Sequence, residues 1–192
     1  MSVVSITEAW PAPGKPFTIA ELDLMPDDGR RYELLDGVLI VSPRPTPAHQ
    51  VVAFALASIL DRACPADWRV VPEPAVMVSA STEFDPDIVV VGRDQLSGAK
   101  ITQPPVLAVE VLSPSTALFD LNQKKAAYER FGVASYWVVM PELDKPELVV
   151  FELRGGHYVE AARVAGDEAF AAVRPFPVDV VPARLVAGLQ PR

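Results

Sequence analysis

Apolar residues along the chain come mostly in short runs rich in valine and separated by proline, a pattern that predicts buried strands joined by tight turns. One stretch differs. Between Thr46 and Ala63, Val51, Val52, Ala55, Leu56, Ile59 and Leu60 recur at helical spacing and give a helix with one apolar face. Ahead of it, Thr18 and Glu21 have the spacing of a capping box, which opens a short helix reaching Met25. Asp36-Gly37 between two apolar runs then predicts a hairpin over Arg31–Ser42, with Glu33 on its first strand or just before it. Further strands are expected at Trp68–Val71, Ala75–Val78, Asp85–Val91, Val106–Pro114, Ser135–Pro141, Glu147–Leu153 and His157–Ala162. Gly92 to Thr102 reads as a polar loop, and Ala117–Phe131 reads as a helix that Gly132 stops. A proline-broken strand and a short helix near Ala183–Val186 complete the chain. Neither an internal repeat nor a Gly/Ser linker divides it, so residues 1–17 are expected as an extended arm and 18–192 as a single domain.

Composition narrows this picture. Half the residues are hydrophobic and the mean hydropathy is +0.22, which excludes a disordered chain. No apolar run approaches the roughly 20 residues that a membrane-spanning helix needs, and no leader pattern opens the sequence. A single cysteine, Cys64, excludes an intrachain disulfide and suits the cytoplasm. The net charge of -8 argues against a broadly basic nucleic-acid surface. A local groove built from Arg30, Arg31, Arg44, Lys100, Lys124, Lys125 and Arg130 stays compatible with it.

The candidate chemistry centres on Glu110, an acid inside the apolar run Val106–Leu112. A buried carboxylate needs a cation, because desolvating an unpaired charge costs several kcal/mol or forces protonation. Asp87 brings a second acid to the mouth of another apolar strand, and Lys124 and Lys125 lie on the helix that follows Glu110. Acids on neighbouring strands can share a magnesium ion, with a lysine beside them to position water or stabilise charge. The alternative is plain architecture: Pro86-Asp87 as a strand-entry turn, and Lys124 paired on the helix surface with Asp120. His49 reads as a capping or packing residue, Asp85 as strand entry, and Tyr128 and Trp137 as core. Ser113 lacks the flanking glycines of a nucleophile elbow, and His157 has no recognisable partner.

Taken in order, Tyr32-Glu33-Leu34 with Asp36-Gly37, His49, Pro86-Asp87, Val109-Glu110-Val111-Leu112-Ser113-Pro114-Ser115-Thr116, Asp120, Lys124, Tyr128, and Gly132-Val133 with Tyr136-Trp137 make a more specific set. This set resembles the Uma-two-type restriction endonuclease family of the PD-(D/E)XK nuclease superfamily. The resemblance implies an α/β restriction-endonuclease-like core, a mixed sheet flanked by helices. It further implies a DNA phosphodiesterase using Mg2+, with Mn2+ as a substitute. Asp87 and Glu110 would bind the metal, Glu33 would be an additional acid, and a homodimer would serve both strands of DNA. The superfamily lysine usually stands two residues after the acid, where this chain has Leu112; the position on the following helix matches Lys124 better than Lys125. Met140 stands where the family often has an acid. The competing function is a non-catalytic nucleic-acid- or protein-binding chain that keeps the nuclease fold.

Overall fold

Local chemistry fixes several element ends in the computed structural model, which describes residues 14–112 and 120–189. The expected N-terminal arm lies mostly outside these residues. Helix α1, Ile19–Leu22, opens on the full capping box: Glu21 N donates to Thr18 Oγ1, and Thr18 N donates to Glu21 Oε2 at 2.7 Å. Strands β1, Arg30–Leu35, and β2, Val38–Pro43, form the expected hairpin with Leu35 opposite Val38. Both turn residues have positive φ, 48° at Asp36 and 80° at Gly37, as a twisted two-residue turn demands. A Cβ on Gly37 would stand 2.5 Å from Pro16 Cβ, while Phe17 N donates to the Gly37 carbonyl at 2.8 Å. Gly37→Ala is therefore expected to lower stability by about 1–3 kcal/mol; an unchanged urea midpoint would contradict that account of the turn.

Thr46 caps helix α2, Pro47–Ala63, which buries Val52, Ala53, Leu56 and Leu60. Strands β3, Trp68–Pro72, and β4, Val76–Ser79, follow as the sequence predicts. The next strand, β5, Thr82–Phe84, was not expected; it pairs with β4 and places Glu83 opposite Leu34 of β1. A four-stranded sheet results, in the order β2-β1-β5-β4. Strand β6 is Ile88–Gly92, so it begins three residues later than the sequence pattern suggests. Pro86 has no N–H to give to a ladder, and Asp87 continues the pairing with its side chain, Oδ2 accepting from Val111 N at 2.7 Å. A short 3₁₀ turn, Arg93–Ser97, occupies part of the expected polar loop.

Strand β7 is Leu107–Val111, and β8, Ser135–Met140, runs parallel beside it with Glu110 opposite Val138. A parallel neighbour needs a crossover. Its described part is a π-helical turn, Asp120–Lys124, leading into helix α3, Lys125–Phe131, which ends on Gly132 at φ 94°. The predicted helix start at Ser113–Thr116 and the Asp120 side chain lie outside what is described. Strands β9, Glu147–Arg154, and β10, His157–Ala165, complete a mixed six-stranded sheet in the order β10-β9-β8-β7-β6-β3. A small pair, β11, Phe170–Ala172, and β12, Val178–Val180, precedes helix α4, Pro182–Val186.

Period two along the strands divides the core. Val109, Val111, Ile88, Val90 and Trp137 pack with α2 and α4 on one face of the large sheet. Ala108, Leu112, Tyr136, Val138 and Phe151 pack with Ala127 and Tyr128 of α3 on the other. Glu110 shares the parity of Ala108 and Leu112, so its carboxylate joins the α3 side. Among the described residues no helix is long and apolar enough to cross a membrane.

Candidate functional site

Four elements deliver polar side chains, three of them charged, to one buried place. Glu110 comes from β7, inside the large sheet, and Glu33 from β1 of the small sheet; they are 2 % and 4 % exposed. Lys124 stands at the end of the π turn, equally buried, with Nζ 2.8 Å from Glu33 Oε1 and 3.1 Å from Glu110 Oε1. Tyr128 lies four residues on, hence on the same helix face, and its hydroxyl donates to Glu110 Oε1 at 3.0 Å. Asp85 N donates to Glu33 Oε1 at 2.9 Å, and the Phe84 ring lies 5.4 Å from Lys124 Nζ. Two acids are thus bridged by a single ammonium group. A wide turn such as this π segment projects a residue out of ordinary helical register, and such turns recur at functional sites.

Asp87 is reached through register. Ile88 faces Val109, so one step further along the antiparallel pair Asp87 stands beside Glu110. Its Oδ2 accepts from Val111 N and lies 3.2 Å from His49 Nε2, which is also 2.9 Å from the Val111 carbonyl. Its Oδ1 is buried, makes no hydrogen bond, and lies 3.5 Å from Arg31 Nη1. Arg31 is further held by the Asp85 carbonyl at 3.3 Å and by Glu73 Oε1 at 3.0 Å.

Electrostatics follow from this crowding. Burial pulls the His49 imidazole towards neutrality, but the Asp87 carboxylate outweighs it and holds the ring's pKa above the ordinary histidine value. Burial also penalises the Asp87 anion, yet His49, Val111 N and Arg31 keep it below the usual aspartate value. Asp85 goes the other way: burial, then repulsion from Glu33, pushes it up to about 6. Burial drives the Tyr128 phenol well above 10, so it stays a neutral donor. The four carboxylates Glu33, Asp85, Asp87 and Glu110 all act on Arg31, and only Arg31 and Lys124 are fixed cations among them. With all four ionised the carboxylates outnumber Arg31 and Lys124, and a protonated His49 against Asp87 takes up part of the difference.

Among the described residues, no three His, Cys, Asp or Glu side chains form a ready-made ion cage. The donor set nevertheless fits magnesium, which takes one or two carboxylates and fills its other positions with water and phosphate oxygens. Asp87 Oδ1 is a buried oxygen that makes no hydrogen bond, and the carboxylates outnumber the cations beside them.

The structure therefore brings together Glu33, Glu110 and Lys124, with Asp87 beside Glu110. Lys125 is elsewhere, 3.9 Å over the Phe151 ring. His157 is exposed, 3.4 Å from Glu129. Three residues at the site do more there than the sequence pattern shows. His49 caps nothing with its ring and instead meets Asp87. Tyr128 is core, as expected, but also a donor to Glu110. Arg31 figured only as a groove candidate; its spacing of two from Glu33 on one strand places both side chains on one face and was the available signal.

No curated protein matches the chain. A solved structure titled "putative nuclease belonging to DUF820", from Anabaena variabilis ATCC 29413, superposes with a TM-score of 0.71 at 17% identity, covering 91% of this chain and 100% of that one. It shares the fold. The model of the Uma2 family, described as "Putative restriction endonuclease", matches residues 19–185, and the chain with its buried acids and lysine belongs to that family.

Proposed function

We propose that the protein is a magnesium-dependent endonuclease that hydrolyses DNA phosphodiester bonds. The observation that carries this reading is the buried Glu33–Lys124–Glu110 bridge beside an Asp87 whose Oδ1 makes no hydrogen bond. Asp87 and Glu110 would hold Mg2+, or Mn2+ in its place; the ion would supply a Lewis acid next to the scissile phosphate. Tyr128 keeps Glu110 oriented by donating to Oε1. Lys124 brings an ammonium group to the carboxylates, where it can stabilise charge developing on the phosphate or hold the attacking water. Glu33 is poised on the same ammonium group to accept a proton from that water. A homodimer would present two such sites to the two strands of a duplex.

The second reading, a binding protein that keeps the nuclease fold, is favoured by the net charge of -8. Lys124 weighs against it. A lysine serving only helix solubility would sit in solvent, whereas this one is 2 % exposed between two acids, an arrangement costly to maintain without use.

Cleavage of supercoiled plasmid and of single-stranded DNA at low salt, with and without Mg2+ or Mn2+, tests the reading. Metal-dependent nicking is expected, reduced at least about a hundredfold by Glu110→Gln and by Lys124→Ala. Inert wild-type protein, or variants that cut equally well while folded by circular dichroism, would leave the binding reading in its place.

A further inference from the structure

An acidic protein that handles nucleic acid needs a local site for phosphates. A cleft of about 510 Å3 opens beside the carboxylates, lined by Arg30, Arg31 and Arg44 and by the acids Asp27, Glu73 and Asp85 that lie among them. The hairpin builds it: Arg30 faces Pro43 across the β1–β2 ladder, so Arg44 continues from the residue opposite Arg30 at the open end. One residue inward, Arg31 joins the cleft to the interior, since its guanidinium lies 3.5 Å from Asp87 Oδ1. The cationic groups thus run from solvent towards the candidate metal ligands.

Two acids of the α1–β1 loop already engage this row. Arg44 pairs with Asp27. Arg30 Nε donates to Asp28 Oδ2 at 2.8 Å, and Tyr32 donates its hydroxyl to the same oxygen at 2.8 Å. Arg30 and Arg44 remain 59% and 63% exposed in their side chains. The hydrogen bond from Arg30 holds the Asp28 carboxyl down at about 2, so the contact is ionic throughout the neutral range. Exposed pairs of this kind contribute little, and a polyanion with several phosphates can displace them.

We infer that this cleft binds one strand of nucleic acid through its phosphates, with Arg44 and Arg30 as outer contacts and Arg31 as the inner one, and that Asp27 and Asp28 occupy the outer arginines until the strand displaces them. The inference rests on the nuclease reading and adds the substrate path and its competitor. Arginines along a groove are how single strands are tracked through their phosphates. The loop acids lower affinity for polyanions in general and leave a strand favoured where several phosphates engage at once.

Binding without cleavage isolates this claim. The anisotropy of a fluorescent single-stranded oligodeoxynucleotide is followed in EDTA over a range of KCl, using the whole protein. Asp27→Asn/Asp28→Asn is expected to tighten binding about tenfold at low salt and to steepen the slope of log Kd against log salt by up to about 1.4, the counterion release of two phosphate contacts on a single strand. Asp144→Asn/Asp167→Asn changes the net charge equally at exposed turns away from the cleft and is expected to act less than about twofold. Arg44→Gln added to the first pair should reverse most of its gain. Equal effects of the two double variants, no binding by any of the proteins, or a polyglutamate peptide bound as tightly as the oligonucleotide would each overturn the inference. Plasmid cleavage in Mg2+ keeps the two claims apart: binding that responds as expected without any cleavage removes the nuclease reading alone, and Glu110-dependent cleavage without the binding response removes the cleft alone.

Discussion

Lys124→Met is expected to lower stability by about 3–5 kcal/mol, the usual consequence of removing one partner from a buried ionic cluster. Lys124 is the ammonium group between Glu33 and Glu110, both at most 4 % exposed. Methionine fills a similar volume, so lost packing contributes little and the loss measures two carboxylates left facing each other in a low dielectric. Tyr128 still donates to Glu110 and Asp85 N to Glu33, but neutral donors do not cancel the charge. A double variant separates charge from volume: Glu33→Gln in the Lys124→Met background removes one stranded anion and should recover a substantial part of the loss, giving a coupling energy well above the roughly 0.5 kcal/mol expected of independent sites. Urea denaturation at neutral pH measures both. A loss below about 1 kcal/mol for Lys124→Met would mean that the cluster is well solvated.

What could be read from the sequence tracks the range over which each feature is determined. The Thr18–Glu21 capping box, the Asp36-Gly37 turn and the apolar face of α2 depend on residues within a few positions of one another, and they stand where the sequence places them, except that Val51 is exposed and Ala53 is buried in its place. Glu110 and Lys124 were legible as a pair because an acid within a valine run has to be compensated, and the next helix offers two lysines. The choice of Lys124 over Lys125 needed the resemblance to a family, since helical periodicity alone puts both near the edge of the apolar face. The π turn that precedes α3 left no mark in that periodicity. Strand β5 is three residues long, too short for alternation to show, and it exists through its pairing with β1 and β4. The contacts of His49 and Arg31 with Asp87 join residues 38 and 56 positions apart, fixed by how α2 and β1 meet the end of β6. No local rule reports such a meeting.

Asp85→Asn is expected to stabilise the protein at pH 8, by up to about 3 kcal/mol, and to change little at pH 4. Asp85 is pushed up from 3.8 to about 6, first by burial and then by the neighbouring Glu33. An acid whose pKa is raised on folding binds more protons in the native state than in the unfolded one between those two values. Stability therefore falls as the pH rises from about 4 to about 6, and the whole penalty is present above 6. Two pKa units correspond to about 3 kcal/mol, an upper limit for a group that keeps some contact with solvent. Asparagine has the shape of the neutral acid and removes the titration, so wild type and variant should have similar urea midpoints at pH 4 and diverge through pH 6. The same carboxylate supplies a readout of the metal that does not depend on cleavage. A divalent ion held by Asp87 and Glu110 would offset the field that disfavours the Asp85 anion, and would stabilise the wild type more than the variant. Adding Mg2+ at pH 8 should then narrow the gap in melting temperature between them. A variant no more stable than wild type at pH 8 would show that Asp85 ionises there without penalty, whereas a gap unchanged by Mg2+ would place any bound ion away from these carboxylates.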